Sequence, residues 1–251
     1  EIIFTSGTTQ SINIITLGYT ELLTSEDELI VSEMEHHSNI VPIQMLCNRT
    51  GAKLRVIPMD GEGNLIMSEF DNILSEKTKL VFVSHVSNAL GTVNPISEII
   101  KKSHKVGAKV LVDGAQGASH FEIDLQELDV DFYTVSAHKM YGPTGVGVLY
   151  GKENLLKKLS PWYGGGEMID EVTFEKTTYG KLPHKFEPGT PNISGVIAFG
   201  IAIEYMNNVG LKEIQAYEDE LLEYSTGKLK KIEGLKIYGE AKNKTAVISF
   251  N

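Results

Sequence analysis

The sequence predicts an α/β protein built on a doubly wound, mostly parallel sheet. Short apolar runs typical of strands alternate with helical patterns over roughly the first 160 residues. The strand candidates are almost continuous in Val, Ile and Leu, as in strands covered on both faces. Polar residues follow directly after most of these strands, at the edge where open parallel sheets bind their ligands.

The elements of this sheet can be assigned in chain order. The predicted strands are Ile2–Phe4, Glu28–Val31, Leu54–Ile57, Leu80–Val86, Lys109–Val112, Phe132–Val135 and Val146–Tyr150. The predicted helices between them are Thr9–Leu23, Ile40–Arg49, Ser68–Leu74 and Ile96–Val106, the last ended by Gly107.

The regular alternation of strand and helix patterns ends at about Trp162, which predicts a second, smaller unit after it. Tyr163–Gly166 and Phe186–Pro191 have loop composition. Helices are predicted over Ile193–Val209 and Leu211–Ile232, and strands over Leu235–Tyr238 and Thr245–Phe250. We therefore expect a large domain over residues 1–205 and the start of a smaller α+β domain over 206–251. Because the chain begins without Met and stops in a strand pattern, we expect an internal piece of a longer protein.

Composition narrows the possible partners. A formal net charge of -10 argues against nucleic-acid binding. The longest nearly unbroken apolar stretch, Val196–Ile203, is too short to span a bilayer, so we expect no membrane partner. The single cysteine, Cys47, permits no intrachain disulfide, and we expect a reducing, cytoplasmic location.

Chemically capable side chains follow five of the predicted strands. They are Ser6, Thr8 and Thr9 after the first strand, Glu35, His36 and His37 after the second, Ser87 and Asn88 after Leu80–Val86, Asp113 and Gln116 after Lys109–Val112, and Ser136, His138 and Lys139 after Phe132–Val135. Since the carboxyl ends of parallel strands meet at one edge, these residues predict a single site.

Three of these features together fit pyridoxal phosphate. Lys139 offers an amine for a Schiff base, Asp113 a carboxylate for a protonated ring nitrogen, and the turn before Thr9 an anion site at a helix N-terminus. His36 could add a flat ring that stacks on the cofactor. Each of these features has a simpler alternative: an Asp113–Lys139 ion pair, ordinary helix capping by Thr8 or Thr9, and a His36 that only caps the following helix.

Two other interpretations have little support. His36, His37, His85, His138 and Asp113 lack the spacing of a known zinc motif, so we expect no metal site. The segment Gly142–Gly147 precedes a strand and contains no Gly-Lys-Ser/Thr, so it predicts a hairpin turn and not a nucleotide loop.

Six segments resemble the cysteine desulfurases of the class V aminotransferase family, and among them the SufS-type or selenocysteine lyase group. They are "FTSGTTQSIN", "EMEHHSNIVPIQML", "HVSNALGTVNPI", "LVDGAQ", "SAHKMYGPTGVGVLYG" and "FEPGTPN". The resemblance implies a pyridoxal-phosphate-dependent transferase of fold type I. It covers the chain from residue 1 to 251, and six motifs in one order are highly specific.

The resemblance also implies a role for each matching residue. Lys139 carries the cofactor and moves protons, and His36 stacks on the ring and is the second expected catalytic residue. Asp113 pairs with the ring nitrogen, Gln116 bonds the phenolic oxygen, and Asn88 lies near the substrate carboxylate. The phosphate is expected to be held by Thr8, Ser136 and His138, with Thr190 reaching the phosphate site of the other subunit of a homodimer. Thr9 is also expected to bind the cofactor.

The implied reaction converts L-cysteine, or L-selenocysteine, to alanine. The sulfur passes through an enzyme persulfide to an acceptor protein for iron–sulfur cluster assembly. The family's persulfide cysteine and carboxylate-binding arginine match no residue of this chain, and Cys47, Arg49 and Arg55 are expected outside the site. We therefore expect the chain to bind cofactor but not to complete desulfuration alone. The alternatives are another class V enzyme (aminotransferase, epimerase-like or kynureninase-like) or a non-catalytic module of the same fold.

Overall fold

A seven-stranded, mostly parallel sheet packed on both faces forms the centre of the protein, which confirms the predicted fold class. The computed structural model describes residues 1–251. The strands are β1 (Ile2–Thr5), β2 (Glu28–Ser32), β3 (Lys53–Ile57), β4 (Thr78–Ser84), β5 (Lys109–Asp113), β6 (Phe132–Ser136), β7 (Gly147–Gly151), β8 (Ile169–Val172), β9 (Thr177–Tyr179), β10 (Ile237–Tyr238) and β11 (Ser249–Phe250). The helices are α1 (Thr8–Gly18), α2 (His37–Thr50), α3 (Met67–Ile73), α4 (Ile96–Lys105), α5 (Glu153–Leu156), α6 (Ile193–Val209) and α7 (Leu211–Leu229).

The strand order of the main sheet is β1-β7-β6-β5-β4-β2-β3. Only β7 runs antiparallel to its neighbours, β1 and β6, and the remaining pairs are parallel. The connection between β6 and β7 contains Gly142–Gly147, so the predicted hairpin turn is confirmed. The chain reverses its progress across the sheet between β2 and β4, and the carboxyl ends of these strands therefore border a crevice.

Successive residues of the central strands pack into two separate hydrophobic clusters, one on each face of the sheet. In β4, Leu80 and Phe82 join a cluster of 20 buried residues that also includes Ile12 and Ile43 from α1 and α2. Val81 and Val83, which point to the other face, join a cluster of 16 buried residues that includes side chains of α3 and α4. Burial on both faces explains why these strands are continuous apolar runs.

Several predicted boundaries differ from the structure for identifiable reasons. The strand predicted over Leu80–Val86 ends at Ser84, because Val86 turns away and forms an isolated bridge with Val93. The helix predicted over Thr9–Leu23 ends at Gly18 and is followed by a 3-10 turn.

The C-terminal elements are also shorter than predicted. The strand predicted over Thr245–Phe250 is reduced to β11, because the Thr245 N–H bonds to the Gly91 carbonyl (2.9 Å) instead of a neighbouring strand. Helix α7 ends at Leu229, three residues before the predicted Ile232. The β8–β9 hairpin lies between the two predicted loops, in a segment for which no element was predicted.

The structure also bears on domain organisation and membrane association. The predicted division between residues 1–205 and 206–251 remains a prediction, and α6 runs across that boundary. None of the helices combines the length and apolar character needed to cross a bilayer.

Candidate active site

A cavity of about 200 Å³ lies at the carboxyl edge of the main sheet. Nine of the ten residues predicted to bind a cofactor line this cavity, and they come from five separate segments of the chain. The lining consists of Thr8, Thr9, His36, Ser38, Ser84, Val86, Asn88, Asp113, Ala115, Gln116, Ser136, His138 and Lys139. The tenth, Thr190, lies on an exposed loop and does not line the cavity.

The N-terminus of α1 forms an anion-binding turn on one side of the cavity. Gly7, with φ 143°, occupies the N-cap position, so no side chain caps the helix. The Ser136 hydroxyl accepts a hydrogen bond from the Thr8 N–H (2.9 Å) and donates one to the Thr8 hydroxyl (3.0 Å). The capping alternative for Thr8 and Thr9 is therefore wrong. The free first-turn N–H groups and the helix dipole favour a negatively charged ligand.

Asp113 ends β5 at the floor of the cavity and is only 6% exposed. Burial raises the pKa of its carboxyl, while the Ala115 N–H (2.9 Å) and the positive charges of Lys139 and His36 oppose this rise. Asp113 and Lys139 do not form a direct ion pair, so the simple structural alternative is not realised. A buried carboxylate with a single hydrogen bond is suited to a cationic partner from the cavity.

Lys139 belongs to a short 3-10 turn, Ala137–Lys139, that follows β6 directly. Its side chain is half-buried and lines the same cavity as Asp113 and Gln116. The turn is fixed because the Ala137 N–H bonds to the Val146 carbonyl (3.0 Å) of the segment entering β7. The amine is therefore presented to the cavity from the end of a buried strand.

His36 caps α2 and also lines the cavity. Its Nδ1 accepts a hydrogen bond from the Ser38 N–H (3.0 Å), which confirms the capping interpretation. Capping uses one edge of the imidazole, and the exposed ring remains available to a ligand. The Ser38 hydroxyl in turn bonds to the Thr9 hydroxyl (2.8 Å), which joins the starts of α1 and α2.

Glu35 was predicted at the site but does not line the cavity, and the hydrogen bonds that it makes could not be read from the sequence. Its Oε1 accepts hydrogen bonds from the Ser84 N–H (2.8 Å) and the Ser32 hydroxyl, and its Oε2 accepts one from the Asn39 amide (2.7 Å). Burial raises the pKa of Glu35 to about 7, although these three hydrogen bonds act in the opposite direction. Its position beside His36 was the only signal in the sequence.

A buried pair, His85 and Tyr133, packs against Gly114 and Gly117 in the segment that follows Asp113. The His85 ring is buried, and its Nδ1 lies 3.0 Å from the Tyr133 hydroxyl. Burial, with a smaller contribution from the charge of His120, lowers the pKa of His85 to about 4. His85 is therefore neutral at physiological pH and forms a buried hydrogen bond with the Tyr133 hydroxyl.

The remaining candidate groups lie outside this cavity. Cys47 is half-buried in α2, and burial raises the pKa of its thiol. Arg55 pairs with Glu28 (2.6 Å) and does not line the cavity, nor does Arg49. No cluster of three or more His, Cys, Asp or Glu side chains is arranged to hold a metal ion. A larger cavity of about 550 Å³, between the His120 loop and α7, contains none of the predicted residues.

Comparison with known proteins identifies related sequences and structures. The family model described as "Aminotransferase class-V" matches residues 1–251. A cysteine desulfurase of Escherichia coli O8 is 49% identical over 253 residues, which cover 100% of this chain and 62% of the relative. The chain spans 40% to 62% of the length of the curated relatives it matches.

Two solved structures extend this comparison. The crystal structure of the cysteine desulfurase CsdA from Escherichia coli has a TM-score of 0.95 and 37% identity, over 100% of this chain and 62% of that one. A C-DES mutant with glycine covalently linked to its PLP cofactor has a TM-score of 0.86 and 25% identity, over 99% of this chain and 66% of that one.

Proposed function

Because the chain belongs to the class V aminotransferase family, we propose that its cavity holds pyridoxal phosphate and that the protein is a cysteine desulfurase acting on L-cysteine. One observation carries this proposal: Lys139, Asp113 and the N-terminus of α1 border the same small cavity. The names of the similar proteins and the cofactor-linked C-DES structure support the same assignment.

The side chains that line the cavity match the chemical groups of this cofactor. The uncapped N-terminus of α1 suits a phosphate, and the buried Asp113 carboxylate suits a protonated ring nitrogen. The Lys139 amine can bond to an aldehyde. When bound, pyridoxal phosphate supplies an electron sink that stabilises negative charge next to the substrate nitrogen.

The phosphate-binding side is made by Thr8, Thr9, Ser136 and His138. The Ser136 hydroxyl already orders Thr8 through two hydrogen bonds, so this part of the site is preorganised. Thr9 is held by Ser38, and His138 is exposed at the cavity, where it can donate a hydrogen bond to a phosphate oxygen. These contacts bind and orient the cofactor.

The remaining residues act on the ring and the substrate. With the cofactor bound, Asp113 would pair with the protonated ring nitrogen, and Gln116 would donate a hydrogen bond to the phenolic oxygen. The exposed ring of His36 covers one face. Asn88, exposed at the mouth of the cavity, binds the substrate carboxylate. Lys139 Nζ holds the cofactor and moves a proton at the substrate carbon.

Cys47 has no part in sulfur transfer in this proposal. It lies in α2 away from the cavity lining, and its raised pKa keeps the thiol protonated at neutral pH. Sulfur transfer needs a thiolate, because the thiolate is the nucleophilic form of cysteine.

The family relationship supports several finer proposals. We place the protein with the SufS-type desulfurases, with L-selenocysteine as a second substrate and iron–sulfur cluster assembly as the destination of the sulfur through an acceptor protein. We also propose a cytoplasmic homodimer in which Thr190, exposed on its loop, contacts the phosphate bound by the partner subunit. The division into domains at residues 1–205 and 206–251 belongs to the same set of proposals.

Product analysis tests the reaction directly. The complete protein, which supplies what this chain lacks for sulfur transfer, is loaded with cofactor and incubated with L-cysteine and a thiol reductant, which supplies the two electrons needed to form alanine and sulfide. Mass spectrometry should find alanine, and the Lys139→Ala variant should yield none. Formation of a keto acid would contradict the proposal and indicate another class V reaction.

A further inference from the structure

We propose that Glu35 is a positioning residue that holds the His36 segment over the cofactor cavity. The inference rests on the proposed function, because it assigns a role within that site. Glu35 is 7% exposed and does not itself line the cavity. Its carboxylate nevertheless bonds to residues on both sides of His36 in the chain and to the end of β4.

The hydrogen bond between the Glu35 and Asn39 side chains closes a loop of five residues, 35–39, that contains His36. We call this segment the His36 loop. Glu35 Oε2 accepts from the Asn39 side chain (2.7 Å), so residues 35 and 39 are linked across the first turn of α2. Within this loop the His36 carbonyl accepts a hydrogen bond from the Asn39 N–H (2.8 Å). The His36 backbone therefore cannot shift without breaking a buried hydrogen bond.

The same carboxylate ties the chain segment that contains His36 to the strand beside Asp113. Glu35 Oε1 accepts from the Ser84 N–H (2.8 Å), and Ser84 is the register partner of Asp113 in the parallel β4–β5 pair. The pKa of Asp113 also responds to the charge of His36, as expected for neighbouring groups. Glu35 thus sets the position of His36 relative to Asp113.

A further hydrogen bond links the His36 loop to the anion-binding turn. The hydroxyl of Ser38, within this loop, bonds to the hydroxyl of Thr9 at the start of α1 (2.8 Å). Loss of the Glu35 carboxylate would therefore loosen both His36, which is proposed to stack on the cofactor, and Thr9, on the phosphate-binding side of the cavity. A carboxylate that only joined two strands would not have this effect.

The chain offers a conservative variant and a matched control. Glutamine at position 35 can keep the contacts, because the buried Asn39 Oδ1 has no partner and could accept from the new amide once the Asn39 amide turns over. Asp131 is an equally buried carboxylate, 1% exposed, that accepts from the Val110 N–H (2.8 Å). It immediately precedes β6, at the opposite edge of the sheet.

The test compares Glu35→Ala, Asn39→Ala, Glu35→Gln and Asp131→Ala in the chain. Hydrogen exchange is measured without cofactor over residues 36–40, and pyridoxal phosphate binding is measured by absorbance titration. We expect Glu35→Ala and Asn39→Ala to accelerate this exchange and to weaken binding by about tenfold. Glu35→Gln should stay within about threefold of wild type, and Asp131→Ala should change neither readout.

The outcomes separate this inference from the proposed function. If Glu35→Ala and Asn39→Ala behave like Asp131→Ala in both readouts, the positioning role is wrong. If Glu35→Ala does not fold, Asn39→Ala, which leaves Glu35 bonded to Ser84, decides the question. A wild-type chain that takes up no pyridoxal phosphate would overturn the proposed function. The hydrogen-exchange measurement, made without cofactor, would still test whether Glu35 holds the His36 loop in place.

Discussion

The substitution Gly147→Ala tests the link between close packing and the anion-binding turn. Gly147 lies in β7 between Thr5 and Ser136, its register partners in β1 and β6. A Cβ at this position would lie 2.5 Å from the Gly7 Cα and 2.5 Å from the Val135 carbonyl oxygen. Both obstructing atoms belong to the backbone, so no flexible side chain can move aside.

The structure gives the size of the effect. Carbon atoms pack at roughly 3.5–4.0 Å, so the Gly7 turn would have to move by about 1 Å. Overpacking of this kind costs about 1–3 kcal/mol, and we expect about 3 kcal/mol because both neighbours are fixed. For a chain of this length, that loss lowers the Tm by roughly 6–12 °C.

The same displacement should weaken phosphate binding, because the Gly7 turn precedes the Thr8 N–H that bonds to Ser136. Thermal unfolding and titration with pyridoxal phosphate measure the two effects. Gly200→Ala is the control: it lies in α6 with no atom within 4 Å of the new methyl group, and it should be neutral or slightly stabilising. A Gly147→Ala chain with wild-type Tm and wild-type affinity would show that the close contact between Gly147 and Gly7 does not shape the anion-binding turn.

Three further predictions follow from individual side chains. The folded pKa of Glu35, about 7, exceeds its ordinary value of 4.5, so the folded state binds more protons between these values and stability falls as pH rises through this window. The loss totals about 3 kcal/mol, and Glu35→Gln should remove it in urea unfolding measured on both sides of the window. Asp113→Asn should weaken cofactor binding about tenfold or more, yet leave stability equal or higher, because it relieves a buried charge; binding titration and unfolding on one sample check both. In the complete protein, Cys47→Ala should leave the yield of alanine from L-cysteine unchanged, and a large loss would give Cys47 a role that its position does not suggest.

The main sheet and the cavity lining were predictable because their causes are local or topological. Strands buried on both faces must be apolar throughout, which makes β4 and β5 visible as runs of Val, Ile and Leu. Parallel strands bring their carboxyl ends to one edge, so Asp113 and Lys139 could be placed together without knowledge of the loops.

The β8–β9 hairpin could not be predicted for a physical reason. All four residues of β8 are exposed, so neither face was selected for an apolar pattern. The pairing also contains an irregularity between Ile169 and Glu171, which breaks the alternation that identifies a strand. Nothing in such a segment distinguishes it from a polar loop.

The role of Glu35 was hidden because its partners are distant in the sequence. Its hydrogen bond to the Ser84 N–H spans 49 residues and depends on the register of β2 and β4. His36 shows a related difficulty, since helix capping and stacking on a cofactor are alternatives when only the sequence is considered, and the structure shows the cap together with an exposed ring. In the structure the two use different parts of one imidazole, so both hold.

The most direct test of the account is to identify the lysine that reacts with pyridoxal phosphate. The chain is mixed with the cofactor, the imine is reduced with borohydride, and the modified peptide is mapped by mass spectrometry. We expect a phosphopyridoxyl group on Lys139 alone, because only this lysine lines the cavity. Labelling scattered over surface lysines, or no labelling, would contradict it.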